Sequence, residues 1–150
     1  MNSSASAPPI IVLDTNVVLD WLLFRNPDCA ALGAALLAGD VRWLATAAMR
    51  SELAHVLDRG HLDGWNADEA ALWSLWDRHS VQVSAPVPPS PPGHPCCSDP
   101  DDQKFIDLAV ACDARWLLSR DRAVLKLARR LRELGVDTLP PDRWSMPPAD

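Results

Sequence analysis

Apolar positions along this chain fall into two alternating kinds of segment. Short, mostly apolar runs lie at Ile10 to Leu13, Val41 to Ala45, Val81 to Ala85, Trp116 to Ser119 and Val136 to Leu139. Runs of that length and makeup fit strands covered on both faces of a parallel sheet, where no polar face alternates with the apolar one. Between them, apolar residues recur at helical spacing. The segments are Val17 to Phe24, Asp28 to Ala38 closed by Gly39, Ala47 to Asp58 capped by Thr46 and stopped by Gly60, and a helix from the Asn66 and Glu69 capping box to about His79. Asp99 before Pro100 starts another helix that reaches about Cys112, and a basic helix spans Arg122 to Leu134, ended by Gly135. Six prolines in the ten residues from Pro86 to Pro95 exclude helix or central strand there and predict an extended surface connection. The alternation of strands and helices predicts an α/β fold, a three-layer α/β/α sandwich on a mainly parallel sheet of about five strands. The body is expected over 10–139, between a disordered tail at 1–9 and a proline-rich tail at 140–150.

Composition narrows the class. With 150 residues, 48% of them hydrophobic and 23% charged, the chain suits one domain with a buried core. No apolar run is long enough to span a bilayer, and Met1 to Pro9 lack the features of a signal peptide, so a soluble cytoplasmic protein is expected. Cys29, Cys96, Cys97 and Cys112 lack zinc-site spacing and read as reduced thiols. A net charge of −6 excludes a grip on nucleic acid by bulk charge, so any contact with phosphate must be local. The stretch from Gln103 to Gly135 is the exception, with eight basic residues against four acidic ones. Its helix carries Arg122, Lys126 and Arg129 and follows Arg120, and these four are the candidates for tracking a nucleic-acid backbone, against the plainer alternative of a solvated helix face. Trp73 and Trp76, three residues apart, suit base stacking or, by their helical spacing, packing in a core or dimer interface.

The acids carry the chemistry. Ligands of open α/β sheets bind outside the carboxyl ends of the strands, and Asp14 directly ends the first strand while Asp121 follows the fourth. Glu52 lies in the helix after the second strand, and Asp101 and Asp102 lie in the first turn after the proline segment. Carboxylates gathered without basic residues between them repel one another, and hard oxygen ligands of this kind suit Mg²⁺ or Mn²⁺. Asp101 and Asp102 also suit a helix N-terminus through its dipole, Asp121 and Asp99 suit capping, and Asp14 has the least structural reason to be where it is. Asp101 and Asp102 flank the apolar face of their helix on opposite sides, so periodicity does not choose between them.

Leu13-Asp14-Thr15-Asn16-Val17-Val18, Ser51-Glu52-Leu53, Asp99-Pro100-Asp101-Asp102-Gln103-Lys104-Phe105 and Ser119-Arg120-Asp121 occur in the order and spacing of the PIN domain. In this the chain resembles bacterial PIN-domain toxin components of toxin–antitoxin systems, from Ile10 to about Leu139. The resemblance implies a five-stranded parallel sheet, a pocket holding Mg²⁺ or Mn²⁺, and endoribonuclease activity that leaves a 5′-phosphate and a 3′-hydroxyl. It assigns Asp14, Glu52, Asp102 and Asp121 as the catalytic and metal-binding acids, selecting Asp102 over Asp101 by its distance from Ala109. Asn16 would support Asp14 by hydrogen bonding, and Asp101 and Ser119 stand beside the set. An RNA substrate, a cognate antitoxin and a homodimer are the partners implied, and the supply of seven tryptophans also suggests self-association. Ala123 stands where relatives often place a further aspartate, which weakens the case for a second metal. The alternatives are an RNA-processing nuclease outside any toxin system, a PIN-fold binding module without catalysis, and, remotely, a Mg²⁺-dependent phosphatase of the haloacid-dehalogenase type, which would need an aspartate where Asn16 stands. Glu52 and His55 form half of a di-metal bundle motif whose second copy is missing.

Overall fold

The computed structural model describes residues 7–59, 69–87 and 93–147. Its elements, in chain order, are β1 (Ile10–Leu13), α1 (Thr15–Leu22), α2 (Ala30–Ala38), β2 (Arg42–Ala45), α3 (Ala47–Asp58) and α4 (Glu69–His79), then β3 (Ser80–Gln82), α5 (Gln103–Ala111), β4 (Trp116–Leu118), α6 (Arg122–Leu125), α7 (Ala128–Glu133) and β5 (Asp137–Leu139). Tight 3-10 turns lie at Pro27–Cys29, Pro100–Asp102 and Pro141–Arg143. The strands pair in parallel in the order β3-β2-β1-β4-β5, with helices on both sides of the sheet, so the expected α/β/α architecture holds. Because β1 leads outward to β2 on one side and pairs with β4 on the other, the sheet switches direction between β1 and β4. A crevice at their carboxyl ends follows from that topology.

The continuously apolar strands are the buried ones. Ile11, Val12, Leu117 and Leu118 are fully buried on the two central strands, where both faces are covered by helices. Trp43 on β2 anchors an aromatic cluster, with ring centroids 5.8 Å from Trp21 and 4.7 Å from Trp76, both edge-to-face. Trp21 reaches α2 only because Gly33 lacks a side chain, as a Cβ there would come within 2.7 Å of the indole nitrogen. Gly39 closes α2 in the left-handed conformation, at φ 77°, that glycine adopts freely. Trp76 is therefore a core residue, and the half-buried Trp73 packs on it at 5.9 Å with the Arg50 guanidinium over its ring.

Three elements differ from expectation. The basic helix is broken into α6 and α7: at Leu127 the backbone tightens to a bond with the Val124 carbonyl, and no proline or glycine marks the place. Its cations consequently lie on two short helices and not along one continuous stripe. Among residues 140–147, Trp144 is 3% exposed and packs edge-to-face on Trp116 at 5.3 Å, so this stretch lies against the body. Finally, α1 begins at Thr15, two residues early, because Asp14 caps it. Asn66, Gly60, most of the N-terminal tail and the central prolines lie outside the described residues.

Candidate metal centre

Sheet register brings the first two acids together. Leu13 pairs with Leu118, so Asp14 and Ser119 emerge side by side at the switch point. There the Ser119 hydroxyl donates to Asp14 Oδ2 at 2.7 Å and accepts from the Asp121 backbone N–H at 3.0 Å. Asp14 is 2% exposed, and Ser119 is fully buried. Burial pushes the Asp14 carboxyl up from its ordinary value; the Ser119 and Asn16 hydrogen bonds oppose this, and the charges of Glu52 and Asp121 add to it. Asn16 meets Asp14 only through its backbone N–H, which donates to Asp14 Oδ1 at 3.3 Å as the cap of α1, and the residue itself is exposed.

The third segment arrives on the Pro100–Asp102 turn. Asp99 caps that turn by accepting from the Asp101 N–H at 3.0 Å, and Asp121 caps α6 by accepting from the Ala123 N–H at 2.8 Å. Capping occupies Oδ1 of each acid without removing it from the crevice. Asp99, Asp102 and Asp121 each offer an oxygen within 4.8 Å of the others. Oxygens on opposite sides of one divalent ion lie about 4–5 Å apart, twice the usual metal–oxygen distance. Asp102 is 8% exposed, and its Oδ2 finds no donor among the described residues. Its carboxyl is pushed up to about 8, first by burial, then by a hydrogen bond with Asp121 and the charges of Asp14, Asp121 and Asp99. Asp121 is held low, chiefly by that same hydrogen bond. Two carboxylates offer each other no donor, so the pair must share a proton or a cation. Asp101, by contrast, is exposed.

Glu52 is held differently. Its Oε1 accepts from Lys104 Nζ at 2.5 Å and its Oε2 from the Thr15 hydroxyl. Lys104 also donates to the Asp101 carbonyl. Of the four acids named from the sequence, Asp14 feels the charges of Glu52 and Asp121, and Asp102 those of Asp14 and Asp121, but only Asp102 and Asp121 join the close cluster, and Asp99 joins them. Thr15 and Lys104 were missed, although both stand inside the quoted motifs; their signal was position, Thr15 directly after Asp14 and Lys104 two residues after Asp102. Arg120 points away into ion pairs with Asp20 and, at 3.2 Å, Asp28, whereas Arg122, Lys126 and Arg129 are exposed.

A second polar cluster fixes the approach to this turn. Gln103 donates to the Pro95 carbonyl at 3.0 Å and to Asp107 Oδ1 at 2.9 Å, and accepts from the Cys97 N–H at 2.6 Å. His94 Nε2 meets the same Asp107 oxygen at 2.8 Å, with side-chain exposures of 6% and 7%. The loop after the prolines is thereby laced to α5, and the turn bearing Asp99 and Asp102 is set against the strand ends. All four cysteines are free thiols.

An open parallel sheet with clustered, partly uncompensated carboxylates at its switch point defines an α/β protein whose strand ends carry an acidic cluster. Residues 10–123 match the family model of the PIN domain, and the chain belongs to that family. No curated protein matches the sequence. Among solved structures, the chain is similar to the crystal structure of VapBC2 from Rickettsia felis bound to a DNA fragment from their promoter, with a TM-score of 0.55 and 15% identity, covering 86% of this chain and 98% of that one. At that identity the likeness is one of fold. No helix among the described residues is long and apolar enough to cross a membrane.

Proposed function

We propose that this chain is a divalent-metal-dependent endoribonuclease, and that it acts as the toxin of a toxin–antitoxin pair. The observation that carries the nuclease reading is the buried Asp102 carboxylate, set beside Asp121 and Asp99 with an oxygen that lacks a donor. A buried carboxylate left so is costly unless it is neutralised, and an all-oxygen donor set of this kind fits Mg²⁺ or Mn²⁺. Asp102, Asp121 and Asp99 would hold the ion, with Asp14 behind them. When bound, such an ion lowers the pKa of water and offsets charge on a phosphodiester.

The chain's own residues supply the rest. Ser119 orients Asp14 and, through the Asp121 N–H, sets the spacing of the two acids. Thr15 and Lys104 fix Glu52 at the rim. Arg122, Lys126 and Arg129 are exposed on the elements that follow Asp121 and are available to the RNA backbone. The toxin assignment, the small antitoxin partner and a homodimer are supported by the family and by the resemblance of the four motifs. Tryptophan content no longer argues for a dimer, since Trp43, Trp76, Trp116 and Trp144 are buried within the fold.

The test is cleavage of end-labelled single-stranded RNA by the purified chain. Cleavage is expected in Mg²⁺ or Mn²⁺, with 5′-phosphate ends, and not in EDTA. Cleavage that survives EDTA, or none in either metal, overturns the reading. Neutralisation of the chain's toxicity by the product of an adjacent short reading frame checks the toxin assignment separately.

A further inference from the structure

The acidic crevice has two unequal halves, and the difference lies in one side chain. At Asp99, Asp102 and Asp121 the described residues provide no cation. At Glu52 they do: the Lys104 ammonium sits 2.5 Å from Oε1. This lysine is not a loose surface group. It bridges α3 and α5 across 52 positions of sequence, is fixed a second time by the Asp101 carbonyl, and lies 5.0 Å from the centre of the buried Phe105 ring. The other Glu52 oxygen is taken by Thr15, a buried residue, so both are committed to donors of the chain itself.

We propose that Lys104 is the resident second cation of this crevice, filling the place beside Glu52 and restricting the site to one divalent ion at Asp99, Asp102 and Asp121. A divalent ion at Glu52 would have to displace an ammonium already in contact with it, against like-charge repulsion at short range. An ammonium is a compact point charge and, unlike a metal, needs no set of six oxygen ligands, so it suits the half of the crevice that has fewer acids. Two of its three N–H donors are used by Glu52 and Asp101. The third is left for an anion, and a phosphate ester is the anion this site would meet. Ala123, which offers no carboxylate two residues after Asp121, points the same way.

This inference rests on the metal-dependent reading above, and the count of bound ions separates the two. Mn²⁺ is titrated into the full chain and free Mn²⁺ is followed by electron paramagnetic resonance. Wild type is expected to bind one ion. Lys104→Met, with folding checked by circular dichroism, frees Glu52 and binds a second, weaker ion. Lys104→Arg keeps the charge and binds one, and Lys104→Met with Glu52→Gln returns to one. Glu52→Gln alone keeps the single ion, because Glu52 lies outside the cluster of Asp99, Asp102 and Asp121. Two ions in wild type, one ion in a folded Lys104→Met, or loss of the ion in Glu52→Gln overturns the role of Lys104 and leaves the metal reading standing. No ion in wild type overturns both. If Lys104→Met does not fold, the wild-type count and the Glu52→Gln count still decide.

Discussion

Asp102 and Asp107 are five residues apart, at the start of α5 and in its middle, and they are 8% and 6% exposed. Only their surroundings differ. Asp107 accepts from Gln103 and faces His94, and together the three side chains tie the loop after the prolines to α5. Asp102 faces three other acids and has an oxygen without a donor. A buried carboxylate with its donors supplied holds a fold together, whereas one set among like charges makes the fold less stable until a ligand arrives. The contrast separates an acid that ties the fold together from the one proposed to hold a cation, without appeal to sequence position.

The largest effect expected from breaking this contrast is on activity at Asp102. Asp102→Asn should lower metal-dependent RNA cleavage by about 10²–10³-fold, the scale of removing one electrostatic group from an active site. Its metal-free melting temperature should be unchanged or higher. Asp107→Ala should do the reverse, costing about 2–3 kcal/mol, or roughly 5–10 °C in melting temperature, because Gln103 loses a buried acceptor and His94 the carboxylate beside it. Turnover by the fraction that remains folded should stay near the wild-type level. A destabilised Asp102→Asn, or an Asp107→Ala of full stability, would erase the distinction.

A smaller effect is expected with pH. The folded-state value of Asp102, about 8, lies above its ordinary 3.8. Between those values the folded chain keeps a proton that the unfolded chain has lost, so metal-free stability falls as pH rises and levels off above about 8. Thermal melts in EDTA should fall from pH 5 to pH 8, and Asp102→Asn should remove most of that slope. A slope that survives in the variant belongs to another group. The smallest effect is at exposed Asp101, where Asn should leave cleavage within about threefold of wild type, as surface substitutions usually do.

Much of this was legible in the sequence. Short apolar runs marked the five strands, although β3 forms at Ser80–Gln82 and not over Val81 to Ala85, and the four motifs named acids that influence one another's charge. In the sequence Asp99 reads as a cap, yet a cap uses one carboxylate oxygen and leaves the residue in the acidic cluster. The Asp102 and Asp101 choice was invisible to helical periodicity because both lie in a 3-10 turn, not in the helix. His94 and Asp107 meet across a loop, at no spacing that a local pattern could reveal. The break at Leu127 has no glycine or proline to announce it. Trp144, alone among prolines, carries no periodicity, so its burial against Trp116 could not be read from its neighbours.

The most direct test of Asp102 as the acid that awaits a cation is the proton balance of metal binding. Titration calorimetry of Mn²⁺ into the wild-type chain at pH 7, in two buffers of different ionisation enthalpy, counts protons released per ion bound. With the Asp102 carboxyl pushed up to about 8 by burial and its neighbouring acids, close to one proton should be released per ion at pH 7, fewer as pH rises past that value, and fewer in Asp102→Asn, where the raised Asp14 alone is left to contribute. Binding without proton release at pH 7, or no binding at all, would contradict it.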